Sequence, residues 1–397
     1  MSTVLVVNSG SSSLKYQLVD VAAGVALASG VVERIGAGPG PAAHTDAAGA
    51  TTRESVSVAD HHAAFAWMLE AFAEHGPSLA EHAPVAVGHR VVQGGARFFE
   101  PTVISELVKV NIDELSVLAP LHNPANLAGI VAAERAFPDV PHVAVFDTAF
   151  HQSMPPAAYL YALDRDLAER HRIRRYGFHG TSHRYVSRAA AAHLGRPVEE
   201  LKLIVLHLGN GASACAVDGG RSVETSMGMT PLEGLAMGTR SGDLDPAVVL
   251  HLQRRAGLDV DGVDDLLNKR SGMLGLGGHA DMRDLTEAAE GGDERAALAL
   301  EVYAHRIRSY VGAYAAQLGR VDAIVFTAGV GENAPLVRRM ALDGLDGFGA
   351  SVDPERNAVR SREARRISPD DSRTAVLVVP TNEELEIARQ ALDVVTG

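Results

Sequence analysis

Two stretches of the chain share one alternation of apolar and small polar positions. Val4 to Val19 (VLVVNSGSSSLKYQLV) and Leu203 to Val217 (LIVLHLGNGASACAV) each break in a Gly/Ser/Asn turn and then resume. β-Rich runs on either side of such a turn predict β-hairpins. VALASGVVERI predicts a third strand after the first hairpin, and the Gly/Ala/Pro composition of residues 37–50 predicts an exposed loop. Between Asp60 and Glu74, Ala64, Phe65, Met68, Leu69 and Phe72 recur at helical spacing, with Trp67 beside the stripe as a packing residue. PVAVGHRVV and HVAVF predict two more strands, the second ending at Asp147. Asn111 with Glu114 resembles a capping box, and Asn123-Pro124 predicts a capped helix start. The first half therefore reads β-β-β-α-β-α-β, a mixed sheet carrying helices.

The second half repeats that order more loosely. A helix over Ser182 to Leu194 leads to a strand over Leu201 to His207, the second hairpin, and a strand near Val223. Asp245-Pro246 predicts a helix start, and Asp293 to Leu318 a long helix. Strands VDAIVFTAG and TAVLVV precede a last helix capped by Asn382, with Glu383 and Glu384 in its first turn. Matching halves imply duplication, with a ligand in the cleft between them. The expected domains are 1–150 plus 384–397, and 151–383.

Bulk properties narrow the class. At 397 residues the chain accommodates two domains with proper cores. A formal charge of −13 argues against a nucleic-acid surface. No apolar run approaches membrane-spanning length, and none resembles a signal peptide, so a soluble cytoplasmic protein is expected. The single cysteine, Cys215, lies in a strand pattern and reads as a small buried thiol.

Candidate chemistry gathers at the turns. Convergent N–H groups and hydroxyls in a small-residue turn suit phosphate oxygens, and two such cradles suggest a polyphosphate gripped by two related halves. Lys15 follows the first cradle, although Ser11, Ser12 and Ser13 suit ordinary turn formation equally. No Walker A loop occurs. Arg90 ends an apolar strand, which suits bidentate capture of a carboxylate or phosphate, or an internal salt bridge. Arg240 sits in MGTRSGDLDP, where it can meet a substrate or pair with Asp243 or Asp245. Asp147 lies at a strand's carboxyl end, the usual place for sites in α/β sheets, or caps the turn that follows. His179 precedes a helix start, and His183 one turn on supplies no carboxylate for a zinc triad. TAGVGENA closes a strand with a Gly-rich turn into a helix, compatible with a nucleotide.

Taken together, VVNSGSSSLKY, GHRVVQGG, APLHNPANL, FDTAFHQSMP, RRYGFHGTSH, HLGNGAS, TSMGMTPLEGLAMGTRSGDLDP, FTAGVGENAP and PTNEEL resemble the acetokinase family, nearly end to end. That family belongs to the actin, hexokinase and chaperone-ATPase superfamily. The resemblance implies an α/β fold of two duplicated ribonuclease-H-like (actin/hexokinase-type) domains, with mixed sheets flanked by helices and a central cleft. It also implies Mg²⁺-ATP-dependent, reversible phosphorylation of acetate to acetyl phosphate, usually in a homodimer, with Mn²⁺ as the alternative ion and ATP/ADP as co-substrate.

By motif position, Asn8 and Glu383 match the family's metal-site residues and Lys15 its nucleotide-binding lysine. Arg90 matches the residue that binds the substrate carboxylate. Asp147 matches the active-site aspartate, and His179 and Arg240 the pair on the moving phosphoryl group. His207, Leu208, Gly209, Asn210 and Gly211 correspond to the phosphate loop. Asp281, Met282 and Arg283, with Gly329, Val330, Gly331, Glu332 and Asn333, correspond to nucleotide contacts. Val92, Leu121, Phe178 and Pro231 match the apolar pocket around the methyl group. Gln93 stands where the family usually has histidine and Glu224 where it has aspartate; LGLGGHA replaces a more serine-rich segment before Asp281. The rival expectations are a kinase for propionate or another short-chain acid, and an actin- or chaperone-like ATPase switch.

Overall fold

In the computed structural model, which describes residues 2–397, the chain divides into two compact units: Met1–Phe150 with Asn382–Gly397, and His151–Thr381. The first unit is built on β1 (Thr3–Ser9), β2 (Ser13–Asp20), β3 (Val25–Glu33), β4 (Gly40–Thr45), β5 (Thr51–Val56), β6 (Pro84–Val91), β7 (Thr102–Val103) and β8 (His142–Phe146). Their order across the sheet is β5-β4-β3-β2-β1-β6-β8-β7. Strands β1 to β5 form an antiparallel meander, β1, β6 and β8 run parallel, and β7 closes the edge antiparallel to β8. The helices Asn123–Ala136 and Glu383–Thr396 pack on β1, which buries almost every side chain of that strand. Leu5, Val7, Leu18, Phe65, Met68 and Phe72 form its core, each a burial of roughly 1.5–3 kcal/mol. Trp67 packs at the rim of this cluster, and its Nε1 donates to Glu54 Oε2 at 3.1 Å.

The second unit contains β9 (Lys202–Leu208), β10 (Ala212–Asp218), β11 (Arg221–Thr225), β12 (Ala323–Thr327), β13 (Arg365–Arg366) and β14 (Ala375–Val378). Their order is β11-β10-β9-β12-β14-β13. An antiparallel β11-β10-β9 meander joins the parallel set β9, β12, β14, with β13 antiparallel at the edge. This matches β3-β2-β1-β6-β8-β7 strand for strand, so the units are duplicates in topology. The helix Glu294–Leu318 starts at Asp293, whose carboxylate accepts from the Arg295 and Ala296 N–H groups, and ends at Gly319 in the left-handed region. Among the described residues, no helix is long and apolar enough to cross a membrane.

Three expectations fail for local reasons. Residues 37–50 are not a loop: Gly40–Thr45 forms β4, because Ala42 and His44 point inward while Pro41 points out. Asn111 lies inside the helix Glu106–Glu114, which Ser105 caps instead through Val108 N–H. Asn123 opens the helix Asn123–Ala136 without capping it; its side chain is spent on Gln93 and Ile112.

Four buried histidines carry a pH consequence. Burial pushes His89, His142, His151 and His183 down, His151 to about 4. His142 Nε2 donates to Phe137 O at 3.1 Å, so its Nδ1 accepts from His89 Nε2 at 2.9 Å and both rings are neutral. The unfolded chain takes up these protons below its ordinary value of about 6.5, the native chain only at lower pH. Each ring therefore stabilises the fold fully above that value and loses up to about 1.4 kcal/mol per pH unit below it. Glu383, pushed up to about 7 by burial, has the opposite sign between its unfolded value and that point. Burial raises Glu224 as well, and with four rings against these two carboxyls the urea midpoint is expected to fall between pH 7.5 and 5.5. A midpoint that rises on acidification contradicts this account.

Candidate active site

In the first unit, Arg90 and Asp147 meet because they end adjacent parallel strands. Val91 lies opposite Phe146 across β6 and β8, and Asp147 N donates to Val91 O at 2.9 Å. Arg90 Nε bonds both Asp147 oxygens at 3.1 Å, and Nη2 donates to Oδ2 at 2.6 Å. The internal salt bridge left open by the sequence is thus formed. Asp147 is 1% exposed, whereas the Arg90 side chain keeps 22% of its surface. Burial opposes the Arg90 charge, but Asp147 and Glu383 more than offset it and raise its pKa.

Glu383 opens the last helix, whose start Asn382 caps through Leu385 N–H at 2.9 Å. One Glu383 oxygen lies 4.0 Å from Arg90 Nε. Burial first, then the charges of Asp147 and Glu384, push this carboxyl up to about 7 despite Arg90 and Lys15. Asn8, near the end of β1, is half-buried and pairs across the hairpin with the exposed Lys15. Lys15 borders a small cavity of about 260 Å³ with Gln17, Ser29, Thr45 and Glu384.

Val92 is buried, but Leu121 is 69% exposed. Two asparagines of the following helix hold this segment. Asn126 Oδ1 accepts from Val92 N at 3.1 Å while its Nδ2 donates to Ser9 O at 2.7 Å. Asn123 likewise accepts from Gln93 N and donates to Gln93 O. One helix face thereby ties the ends of β1 and β6 together. The only signal was two asparagines three apart in HNPAN, which is helical spacing. Gln93 is fully buried and its Oε1 accepts from Gly95 N at 2.9 Å.

In the second unit, His179 stands at the N-cap of the helix Gly180–Leu194 with φ 56°, a left-handed backbone that aims its ring away from the helix. Its Nδ1 lies 3.0 Å from Ser213 Oγ, and its ring stacks on His207 with centroids 4.2 Å apart. Arg240 Nη1 donates to Pro231 O at 2.7 Å. Neither Asp243 nor Asp245 takes this guanidinium. Asp243 accepts from Gly234 N and Tyr310 OH, and Asp245 caps the helix Pro246–His251. Burial pushes the Arg240 pKa down, as expected of a cation lacking a carboxylate. A Cβ on Gly211 would come 2.6 Å from Arg240 Nη2, so the guanidinium would have to shift, whereas His179 Cε1 at 3.5 Å would be in ordinary contact.

A cavity of about 1310 Å³ adjoins this group, lined among others by Gly209, Asn210, Asp281, Arg283, Gly329 and Asn333. Met282 and Val330 also face it, whereas the Leu208 side chain is fully buried and leaves only its backbone to a ligand. Asp281 caps the helix Met282–Glu290 and pairs with Arg283 at 2.7 Å, which holds its carboxyl down to about 2. Glu332 is turned to structure: Oε1 accepts from Ala328 N and Thr381 N. Phe178 is buried and Pro231 half-buried. Arg338, absent from the sequence-based candidates, is fully buried and donates to the carbonyls of Gly331 and Glu332, bracing the helix Ala328–Asn333. Cys215 is buried beside Ser222, and burial pushes its thiol up to about 12, which rules out a thiolate nucleophile. Among the described residues no group of three or more His, Cys, Asp or Glu is arranged to hold a metal.

Two sheets of one strand order, each with a small-residue hairpin and chemistry at the strand ends, define a duplicated ribonuclease-H-like α/β protein. The chain belongs to the acetokinase family, whose family model matches residues 3–389. It is 65% identical over its whole length to the acetate kinase of Leifsonia xyli subsp. xyli (strain CTCB07), of which it covers 100%. Its fold superposes on the crystal structure of Porphyromonas gingivalis acetate kinase with a TM-score of 0.96, at 43% identity and full coverage of both chains. A propionate kinase from Francisella tularensis subsp. tularensis SCHU S4 follows at 0.92 and 39% identity, covering 99% of this chain and 100% of that one.

Proposed function

We propose that the protein is a phosphotransferase that reversibly converts acetate and Mg²⁺-ATP to acetyl phosphate and ADP. Membership of the acetokinase family supports this reading, and one local observation carries it. A half-buried guanidinium, Arg240, is grouped with His179 on a glycine turn and has no carboxylate partner among the described residues. Such a cation suits an anion that arrives with the substrate.

The acceptor chemistry follows from charge. A carboxylic acid of pKa roughly 4 is already ionised at neutral pH, so no strong general base is needed. The barrier lies in bringing two anions into line. Arg90 binds the acetate carboxylate with the part of its fork not given to Asp147. Arg240 and His179 bind the transferred phosphoryl group most tightly midway. Lys15 and the segments 207–211, 281–283 and 329–333 hold the nucleotide. The residues that match the family's methyl pocket are Val92 and Leu121 in the first unit and Phe178 and Pro231 in the second. Asp147 fixes Arg90 and, with the ion bound, would orient magnesium or its waters rather than abstract a proton.

The donor set fits magnesium. Glu383 is a carboxyl whose charge is disfavoured by burial and by Asp147 and Glu384, a setting that an added divalent cation relieves. Asn8 and Glu383 are oxygen donors, and so few protein ligands accord with an ion that keeps water and phosphate around it. When bound, the ion offsets charge on the β- and γ-phosphate oxygens. The enzyme is proposed to work as a homodimer in the cytoplasm.

A hydroxamate assay tests the reading. Acetyl phosphate should form from ATP only when acetate is supplied, and ATP loss without acid should be negligible. Equal hydrolysis with and without acetate, with no acyl phosphate, would point to an ATPase switch. Propionate is the second reading, favoured by the exposure of Leu121. One methylene in an apolar pocket is worth only about 1–3 kcal/mol, so kcat/KM for acetate should exceed that for propionate by roughly 10- to 200-fold at most.

A further inference from the structure

The inner shell of His179 contains a hydroxyl with two imidazole neighbours. Ser213, on β10 opposite His207 of β9, is fully buried, and its Oγ lies 3.0 Å from His179 Nδ1 and 2.8 Å from His183 Nε2. His183 is fully buried as well, and its Nδ1 has no hydrogen-bond partner. Burial, with His151 and His207 nearby, pushes the His183 pKa well down, so its ring is neutral and carries one proton.

The proton can be placed by elimination. On His183 Nδ1 it would be a buried N–H without an acceptor, a costly omission. On Nε2 it donates to Ser213 Oγ, and Nδ1 keeps only an unused lone pair, the more tolerable of the two omissions. The serine hydroxyl has one hydrogen and, among the described residues, only these two imidazoles as neighbours within hydrogen-bond range. With His183 as donor, that hydrogen goes to His179 Nδ1. A neutral His179 accepting at Nδ1 carries its own proton on Nε2.

We propose that Ser213 is a positioning residue which, with its orientation set by His183, fixes the tautomer of His179 so that Nε2–H is presented to the transferred phosphoryl group. The proposal rests on the phosphotransferase reading for its purpose but not for its geometry. In the opposite tautomer His179 would turn a lone pair toward an anionic phosphoryl oxygen. The device explains why two polar side chains, Ser213 and His183, are fully buried behind the half-buried His179 where apolar packing would suffice.

The test is ¹⁵N NMR of the full-length protein with labelled histidine, the His179 signal being assigned by its loss in His179→Gln. The parent protein should show His179 protonated at Nε2 and bare at Nδ1. Ser213→Ala and His183→Leu should mix the two tautomers and lower kcat about 10- to 100-fold, the range for lost outer-shell partners of a functional imidazole, with KM for acetate and ATP nearly unchanged. His183→Gln, which keeps an N–H donor, should restore most of kcat. A parent spectrum with the proton on Nδ1 overturns the proposal, and that measurement stands even if a variant fails to fold. An unaltered tautomer and kcat in Ser213→Ala overturns it too. A parent protein that makes no acetyl phosphate yet shows Nε2–H would sink the proposed function and leave the relay intact.

Discussion

Arg240→Ala is expected to lower kcat by about 10²- to 10³-fold while leaving the protein folded. Arg240 is a desolvated cation whose Nη1 is committed to a carbonyl, Pro231 O, so its charge is not consumed inside the protein. Its fellow Nη2 faces the Gly211 turn beside His179, where charge on a moving phosphoryl group would be felt. Losing one such preorganised donor typically costs about 2.7–4 kcal/mol of transition-state stabilisation. Stability should change little, because removing a poorly solvated cation also removes its desolvation penalty. Lysine should rescue only in part, since an ammonium cannot keep the carbonyl bond and reach a phosphoryl oxygen with the same planar fork. Gly211→Ala provides an independent route to the same defect, because its methyl would displace Nη2 without altering any charge. Steady-state kcat and KM beside a urea melt decide the matter. A kcat within a few-fold of the parent for Arg240→Ala would remove this residue from the phosphoryl site.

Arg90→Ala should do damage of two separable kinds. Asp147 is 1% exposed and loses the two-pronged guanidinium that now bonds it, with Glu383 already crowding the same arginine. Truncating one member of a buried ion pair costs about 3–5 kcal/mol, mostly because the remaining charge loses its counter-ion. The acetate KM should rise at least roughly tenfold as well, the equivalent of about 1.4 kcal/mol of lost carboxylate binding. A second substitution, Asp147→Asn, neutralises the stranded carboxylate. The double variant should therefore recover part of the urea midpoint and none of the acetate affinity. If Asp147→Asn restored acetate KM together with stability, Arg90 would be structural only. If acetate KM were normal in Arg90→Ala, its carboxylate-binding role would fall.

The legibility of the chain was uneven for identifiable reasons. The two hairpins, the helix stripe from Ala64 to Phe72 and the caps at Asp245, Asp293 and Asn382 are local, set by side-chain period and by which residue can satisfy an N–H. The strand β4 was read as a loop because its Gly, Pro and Ala residues have weak β-propensity, and pairing with β3 and β5 overrides that. Asn111 and Asn123 looked like caps because cap chemistry is simply a short polar side chain near a helix. Asn123 was in fact recruited by a strand end thirty residues earlier. The role of Arg338 was invisible and the Asn123–Asn126 brace showed only as helical spacing, because the main-chain groups they bond carry no sequence signature.

Sequence by itself determined what kinds of groups are present and where short-range rules put them: small residues in the cradle turns, a cation after a strand, a carboxylate at the end of its neighbour, and through nine motifs in order the family. Tertiary structure alone decided partnership. It gave Arg90 to Asp147, withheld Asp243 and Asp245 from Arg240, and enclosed Ser213 between two imidazoles. The physical reason is that charge and hydrogen-bond energies depend on distance and burial, and both are set by contacts far apart along the chain.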